Sequence, residues 1–321
     1  MTSLSVPVVA LDLEEIDPVE VGVDIHTGQA PELINFGRAI LAAMAGEPEA
    51  VRLVIAGNFV ESVRRRLPEG TYRDSFDEIR GAGEVAVKTM VVADEIHVVV
   101  PAWLLQASQD ERADLRARRT VVHEAQHVAM QQHGEDDGGF ADEPWARRCL
   151  LTVAHQVIAE YRAELGVPAP LREGIEPTLS ADTPLALRED LVLIDDAYQQ
   201  SLDVQYLAHN VVQQSQHFWK ALAYIAAARR VLSVDEPLRA EFGHGDLWEQ
   251  MGAEHWERFE DILRTVPSAH TRVPSLELRR VTDEMAGVLT SWLESLGFVF
   301  KDINGGNNSV FHIVSRHLLR Q

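Results

Sequence analysis

One cysteine, Cys149, stands among 321 residues. An intrachain disulfide is therefore excluded, and so is a zinc cluster built from several thiolates of one chain; a reducing compartment fits. Long apolar runs are missing too, and no stretch is long and apolar enough to span a bilayer. The amino-terminal MTSLSVPVVALDLEEIDPVEV lacks a basic start, and Asp12, Glu14 and Glu15 break its apolar run, so it does not read as a secretion signal. A cytoplasmic location is expected. Positive charge is also short: 29 Lys plus Arg face 50 Asp plus Glu, a formal charge of -21. Such a field repels phosphate backbones and anionic lipid, so neither nucleic acid nor membrane is expected as a partner. The basic clusters Arg64 to Arg66 and Arg116, Arg118 and Arg119 read as solvated helix faces or local ion pairs.

What the chain does have is material for a core, with 46% hydrophobic and 25% charged residues. Its first part mixes strand and helix signals. PELINFGRAILAAMAG, from Pro31 to Gly46, has proline in its first turn and glycine at its end, as a short helix should. VRLVIAG from Val51 reads as a buried strand and FVESVRRRL as a helix. EVAVKTMVV and EIHVVVP are β-branched runs separated by Ala93 and Asp94, which predicts a hairpin or neighbouring strands. Pro101 marks the second run as an edge, because proline cannot donate to a ladder.

The segment SQDERADLRARRTVVHEAQHVAMQQHG follows. Ser108 and Glu111 form a capping-box pattern and Gly134 offers a stop, so a helix is predicted. A second helix runs from about Pro144 to Leu165, with Asp142 as N-cap and Gly166 and Pro168 at its end. GVPAPLREGIEPTLSADTP then holds four prolines and reads as a linker. Beyond Leu185 the pattern is helical until GFVFKDINGGNNSVFHIV, a hairpin with Gly305 and Gly306 in its turn. Trp219, Trp248 and Trp256 are expected in a core.

The chemistry resides in HEAQH. At about 100° per residue, with Val121 at zero, His123 and His127 fall near ~200° and ~240° and Glu124 near ~300°. Val121, Val122, Ala125, Val128 and Ala129 occupy the opposite arc. Two imidazoles one turn apart can converge on one ion at about 2.0–2.1 Å while a carboxylate stays free beside them. His133 is a poor third ligand, because a continuing helix turns it about 100° away from the pair. In the second helix Ala146, Cys149, Val153, Val157 and Glu160 form one stripe, with Glu164 a turn further on. A carboxylate on an apolar stripe needs a positive partner, and zinc is one; alternatively, the stripe leaves the core in its last turn and both glutamates are solvated.

VVHEAQH on a helix, preceded by the strand-like EIHVVVP, resembles the zincin metallopeptidases. EYRAE resembles the ExxA(D/E) element that follows HExxH in gluzincins, among them cytosolic phage-repressor-cleaving peptidases and CAAX-type membrane proteases. The resemblance implies zinc held by His123, His127 and Glu160, with Glu124 as general base. It implies Glu164 orienting a histidine and an edge strand that pairs with an extended peptide. His133 stands at the third-histidine position of HExxHxxGxxH, but Met130 replaces the glycine that lets the chain turn back. The GxMEN signature of zinc aminopeptidases is absent, the CAAX-type membrane architecture is excluded, and Cys149 lies on the wrong side of the motif for a peptide deformylase.

The expected fold class is α+β: a zincin-like region over 1–166 with a small mixed sheet and active-site helix, a linker over 167–185, and a mostly helical region over 186–321. The expected function is hydrolysis of peptide bonds in a peptide or protein substrate by a zinc-activated water. Tyr206, His209, His217, His244 and His255 are available as oxyanion donors, and none is singled out. The alternative is a non-catalytic metal-binding or helical interaction module, and the helical region leaves room for a homo-oligomer or a protein partner.

Overall fold

The computed structural model describes residues 9–319, apart from 25, 28, 75, 78, 81–82, 85–86, 107–109, 136–137, 173–177 and 240–244. The fold is α+β, with a small mixed sheet and a helical carboxy-terminal region. Two compact units are present: Met1–Asp136 with Gly166–Gly174, and Asp137–Leu165 with Ile175–Gln321. Among the described residues no helix is long and apolar enough to cross a membrane.

In the first unit β1 (Ala10–Glu14), β2 (Val51–Ala56) and β6 (Glu95–Pro101) run parallel, and β5 (Lys88–Val92) closes the order β1-β2-β6-β5 antiparallel to β6. The period of two in the strands divides the core. Val51, Leu53 and Ile55 of β2, with Ile96, Val98 and Val100 of β6, pack against α1 (Glu32–Met44) and α5 (Glu111–Gln132). Val54, Ala56, Met90 and Val99 face the other way, onto Phe59 and Val63 of α2 (Phe59–Arg66) and onto Phe76. Short elements complete the unit: α3 (Thr71–Asp74), the two-residue strands β3 (Ile79–Arg80) and β4 (Gly83–Glu84), and α4 (Ala102–Gln106).

Two expectations change here. β1 emerges from a stretch that carried no strand assignment, and it is fixed by parallel pairing to β2 from Ala10↔Arg52 to Glu14↔Ala56. The edge beside the motif helix is β5 rather than EIHVVVP, because β6 is paired on both sides. Pro101 is tolerated since it is the last residue of β6, opposite Ala56, where the ladder ends. The hairpin itself is present, turning through Ala93 at φ 54.

In the basic cluster on α2, Arg65 and Arg66 are spent on ion pairs, whereas Arg64 donates to Phe76 O at 2.9 Å. Arg66, nearly buried, pairs with the Glu14 carboxylate and donates to Ser62 Oγ at 2.8 Å and to His97 Nδ1 at 3.0 Å, while Arg65 reaches Glu14 at 3.0 Å and Glu15 at 2.7 Å. Arg66, against the opposing effect of burial and with help from Ser62, holds the Glu14 carboxyl down to about 2. A depressed folded-state pKa contributes stability that is fully present above the ordinary carboxylate range and lost as pH falls through the folded value. Glu14→Gln should therefore lower the unfolding free energy of the first unit at pH 7 by roughly 2–3 kcal/mol. Urea titrations should show the deficit shrinking between pH 4.5 and about 2, the interval between ordinary and folded values. A deficit that does not depend on pH would show that shape, not charge, makes Glu14 matter.

The second unit is a helical bundle with one hairpin. It comprises α6 (Trp145–Leu165), α7 (Asp182–Ser201), α8 (Val204–Leu232), α9 (Gly245–Met251), α10 (Ala253–Arg264) and α11 (Ser275–Ser295), with β7 (Phe298–Ile303) antiparallel to β8 (Asn308–Ile313). Trp219, Trp248, Trp256 and Trp292 are buried in its core, as expected of the first three. Gly305 and Gly306 take positive φ in the hairpin turn. The Pro-rich stretch holds a 3-10 turn at Ala169–Arg172, its residues 173–177 lie outside the described ones, and helix resumes at Asp182, earlier than the pattern suggested.

Asp142 does not cap α6. The amides of Ala146 and Arg147 instead donate to Asp302 Oδ1 and Oδ2, both at 2.9 Å, so the cap is supplied by β7 from far along the chain. Burial opposes ionisation of Asp302, but the Ser309 hydroxyl and these two amides outweigh it and keep the carboxyl below its usual range.

Candidate metal centre

The helix that carries the motif is fixed at both ends. Asp110 is the N-cap, accepting from Arg112 N at 3.0 Å; Ser108, the expected cap, lies outside the described residues. At the other end Glu135 N–H donates to Met130 O at 3.0 Å and Gly134 N–H to Gln131 O at 2.9 Å, with Gly134 at φ 71. This is a Schellman stop, in which glycine takes the left-handed position without a Cβ penalty. Two further contacts set the rotation of α5. Gln132 Oε1 accepts from the amides of Gly46 and Glu47 at 2.6 and 3.2 Å, and Arg118 pairs with Glu32 at 2.9 Å.

With Ala117, Val121, Ala125 and Val128 buried on one side of α5, the motif faces the other way. His123 is buried, and His127 and Glu124 are half-buried. The two Nε2 atoms are 3.3 Å apart with the rings at 64°. Two nitrogens at about 2.0–2.1 Å from one tetrahedral ion would be about 3.3–3.4 Å apart, so the pair is already spaced for a shared cation. Glu124 Oε2 accepts a 2.6 Å hydrogen bond from Thr89 Oγ1 of β5. Thr89 therefore holds the Glu124 carboxylate, a role the sequence signalled only as a polar residue within a β-branched run.

On α6, Ala146, Val153 and Val157 are buried as the stripe required, and Glu160 continues it with a side chain 14% exposed. Lys220 Nζ lies 2.8 Å from Glu160 Oε1, and the Tyr224 hydroxyl donates to Oε2 at 2.7 Å. Glu164 is 1% exposed. The solvated alternative for both glutamates therefore falls. Lys220 supplies the positive partner that burial of Glu160 requires, so burial alone does not call for a metal. Lys220 and Tyr224 were missed from sequence, although a lysine and a tyrosine four apart in HFWKALAYI share one helix face.

The His123–His127 pair belongs to the first unit and Glu160 to the second; within the first unit the pair alone presents two ligand nitrogens at a spacing that suits one metal ion. No family model, curated protein or solved structure matches the chain. What the residues can do must therefore be read from their chemistry. Two imidazoles and a carboxylate form a borderline donor set of the kind that suits zinc and leaves a coordination position open.

His133, the other histidine of the motif segment, is the C-cap of α5, its backbone N–H donating to Ala129 O at 3.0 Å. Among the residues available as oxyanion donors, Tyr206 is exposed, His217 lies 3.1 Å from Gln214 Oε1, and His255 lies 3.2 Å from Ser295 Oγ with its pKa lowered by burial. His244 lies outside the described residues.

Proposed function

We infer that the chain is a zinc-dependent metallopeptidase of zincin type, with His123, His127 and Glu160 as the protein ligands and Glu124 as general base. The observation that carries this reading is the His123–His127 pair, its two Nε2 atoms 3.3 Å apart, beside a carboxylate held separately by Thr89. Bound zinc would supply Lewis acidity, polarising a scissile carbonyl and acidifying water toward a pKa of about 7. Thr89 occupies Oε2 of Glu124, so Oε1 is the atom that takes a proton from the attacking water and returns it to the leaving amine. His123, deeper than His127, is fixed by the packed turn around it and has little freedom to leave the pair. Beside the motif helix, β5 has β6 as its only strand neighbour among the described residues, and its outer edge offers backbone groups to an extended peptide. Glu164, buried one turn beyond Glu160, would orient a ligand histidine.

A second reading draws on Lys220. A carboxylate already satisfied by an ammonium and a phenol is also what a metal-free interaction module would hold inside a bundle. Elemental analysis and chelation separate the two. The purified chain should carry about one zinc, and a strong chelator should remove both metal and peptide cleavage, with cleavage returning on zinc addition. Peptidase activity that survives complete removal of metal, or a chain that takes up none, would refute the metallopeptidase reading.

A further inference from the structure

Thr89 fixes where the motif lies along β5. Its hydroxyl donates to Glu124 Oε2 at 2.6 Å, so Thr89 faces α5 and stands beside the Glu124 carboxylate. Side chains alternate along a strand, and Val91 therefore shares that face two positions on, while Lys88 and Met90 take the opposite one. The pairing to β6 agrees. Val91 lies across from Ile96, which packs on the α5 side, and Lys88 across from Val99, which packs on the α2 side. All of these elements belong to the first unit.

The fold uses up neither Val91 nor Lys88. Val91 is 56% exposed. Lys88 is half-buried, is one of only three lysines in a chain of formal charge -21, and makes no ion pair with a described residue. A lysine on a strand edge commonly keeps two sheets apart, yet an edge shaped only for that gains nothing from an open β-branched side chain three positions on.

A peptide laid along the outer edge of β5 sets its side chains beside those of β5 on the same faces, Cβ to Cβ about 4.5–5.5 Å. The peptide residue across from Val91 then meets an apolar neighbour on the α5 face, and the one across from Lys88 meets an ammonium on the other. We propose that Val91 and Lys88 set the substrate class: extended peptides with an apolar and an acidic side chain three positions apart, the acid beside Lys88. Placing the cleaved bond next to Thr89 and Glu124 rests on the metallopeptidase reading above; the preference for such peptides does not.

The test is binding, read as fluorescence anisotropy of short labelled peptides on the full chain carrying Glu124→Gln, which leaves them uncut. The peptides hold leucine and glutamate three positions apart, in either order, in an alanine and threonine background; lysine in place of glutamate and serine in place of leucine are the controls. Glutamate over lysine and leucine over serine should each be favoured about fivefold, the upper range for one cross-strand pair. Adding Lys88→Glu should reverse the charge preference. Adding Val91→Ser should erase the leucine preference and keep the charge preference. Circular dichroism verifies the fold, and Lys88→Gln, which should abolish the charge preference, replaces Lys88→Glu if that variant does not fold. Absent binding, or a charge preference that does not follow the residue at position 88, overturns this inference. So does a chain that binds no peptide and forms a dimer that Val91→Lys disperses. Reversal by Lys88→Glu, in a protein whose wild type takes up no zinc and cuts no peptide, overturns the metallopeptidase reading and leaves peptide docking on β5 standing.

Discussion

Glu124→Gln should leave zinc affinity and fold intact and lower peptide cleavage by about 10²- to 10⁴-fold, the usual contribution of a positioned general base. The substitution is nearly isosteric. Thr89 Oγ1, which now donates to Glu124 Oε2 at 2.6 Å, can donate equally well to an amide oxygen, so the side chain keeps its anchor. What disappears is the second oxygen as a proton acceptor, since an amide nitrogen has no lone pair to offer. The residue is half-buried and outside the apolar face of α5, so no core contact is lost. Comparing cleavage of a peptide library by wild type and variant, with zinc content measured on the same samples, separates chemistry from metal loss. A variant that cleaves as fast as wild type would remove Glu124 from the mechanism. A variant that loses both zinc and activity would mean that the carboxylate serves the metal rather than the proton.

How much of this was legible in the sequence depends on the reach of each interaction. The motif helix was, because its apolar arc, its glycine stop and its polar face all repeat within one turn or two, and α5 follows that pattern from Glu111 to Gln132. The hairpin of β5 and β6 was legible for the same reason, its two strands being neighbours in the chain. Glu160 stood out because a carboxylate interrupts a stripe that is buried at Ala146, Val153 and Val157. The features that escaped are made by partners distant in sequence. β1 takes its identity from a ladder to residues about forty positions on. The cap of α6 comes from Asp302, and Glu160 meets its cation at Lys220. The edge assignment failed because one proline was weighed as a property of a whole strand, whereas its missing donor matters only at the single ladder position it occupies.

Removing an imidazole should have the largest effect on metal. His127→Ala is the cleaner variant, because His127 is half-buried whereas His123 is buried among the packed side chains of α5. Chelation by this pair depends on two nitrogens already 3.3 Å apart; with one gone, the advantage of the preset spacing disappears. The loss should exceed the 10- to 100-fold typical of groups that merely support a ligand, so a zinc dissociation constant at least about 100-fold higher is expected. Two behaviours identify ligation rather than damage. The double variant His123→Ala/His127→Ala should bind little worse than either single variant, since residues that act as a unit are not additive. Added zinc should raise the thermal unfolding temperature of wild type, by linkage to the folded state, and leave that of His127→Ala unchanged. A His127→Ala protein that retains wild-type zinc content and the zinc-dependent rise would place the ion elsewhere in the chain and leave the histidine pair as an ordinary contact between two rings.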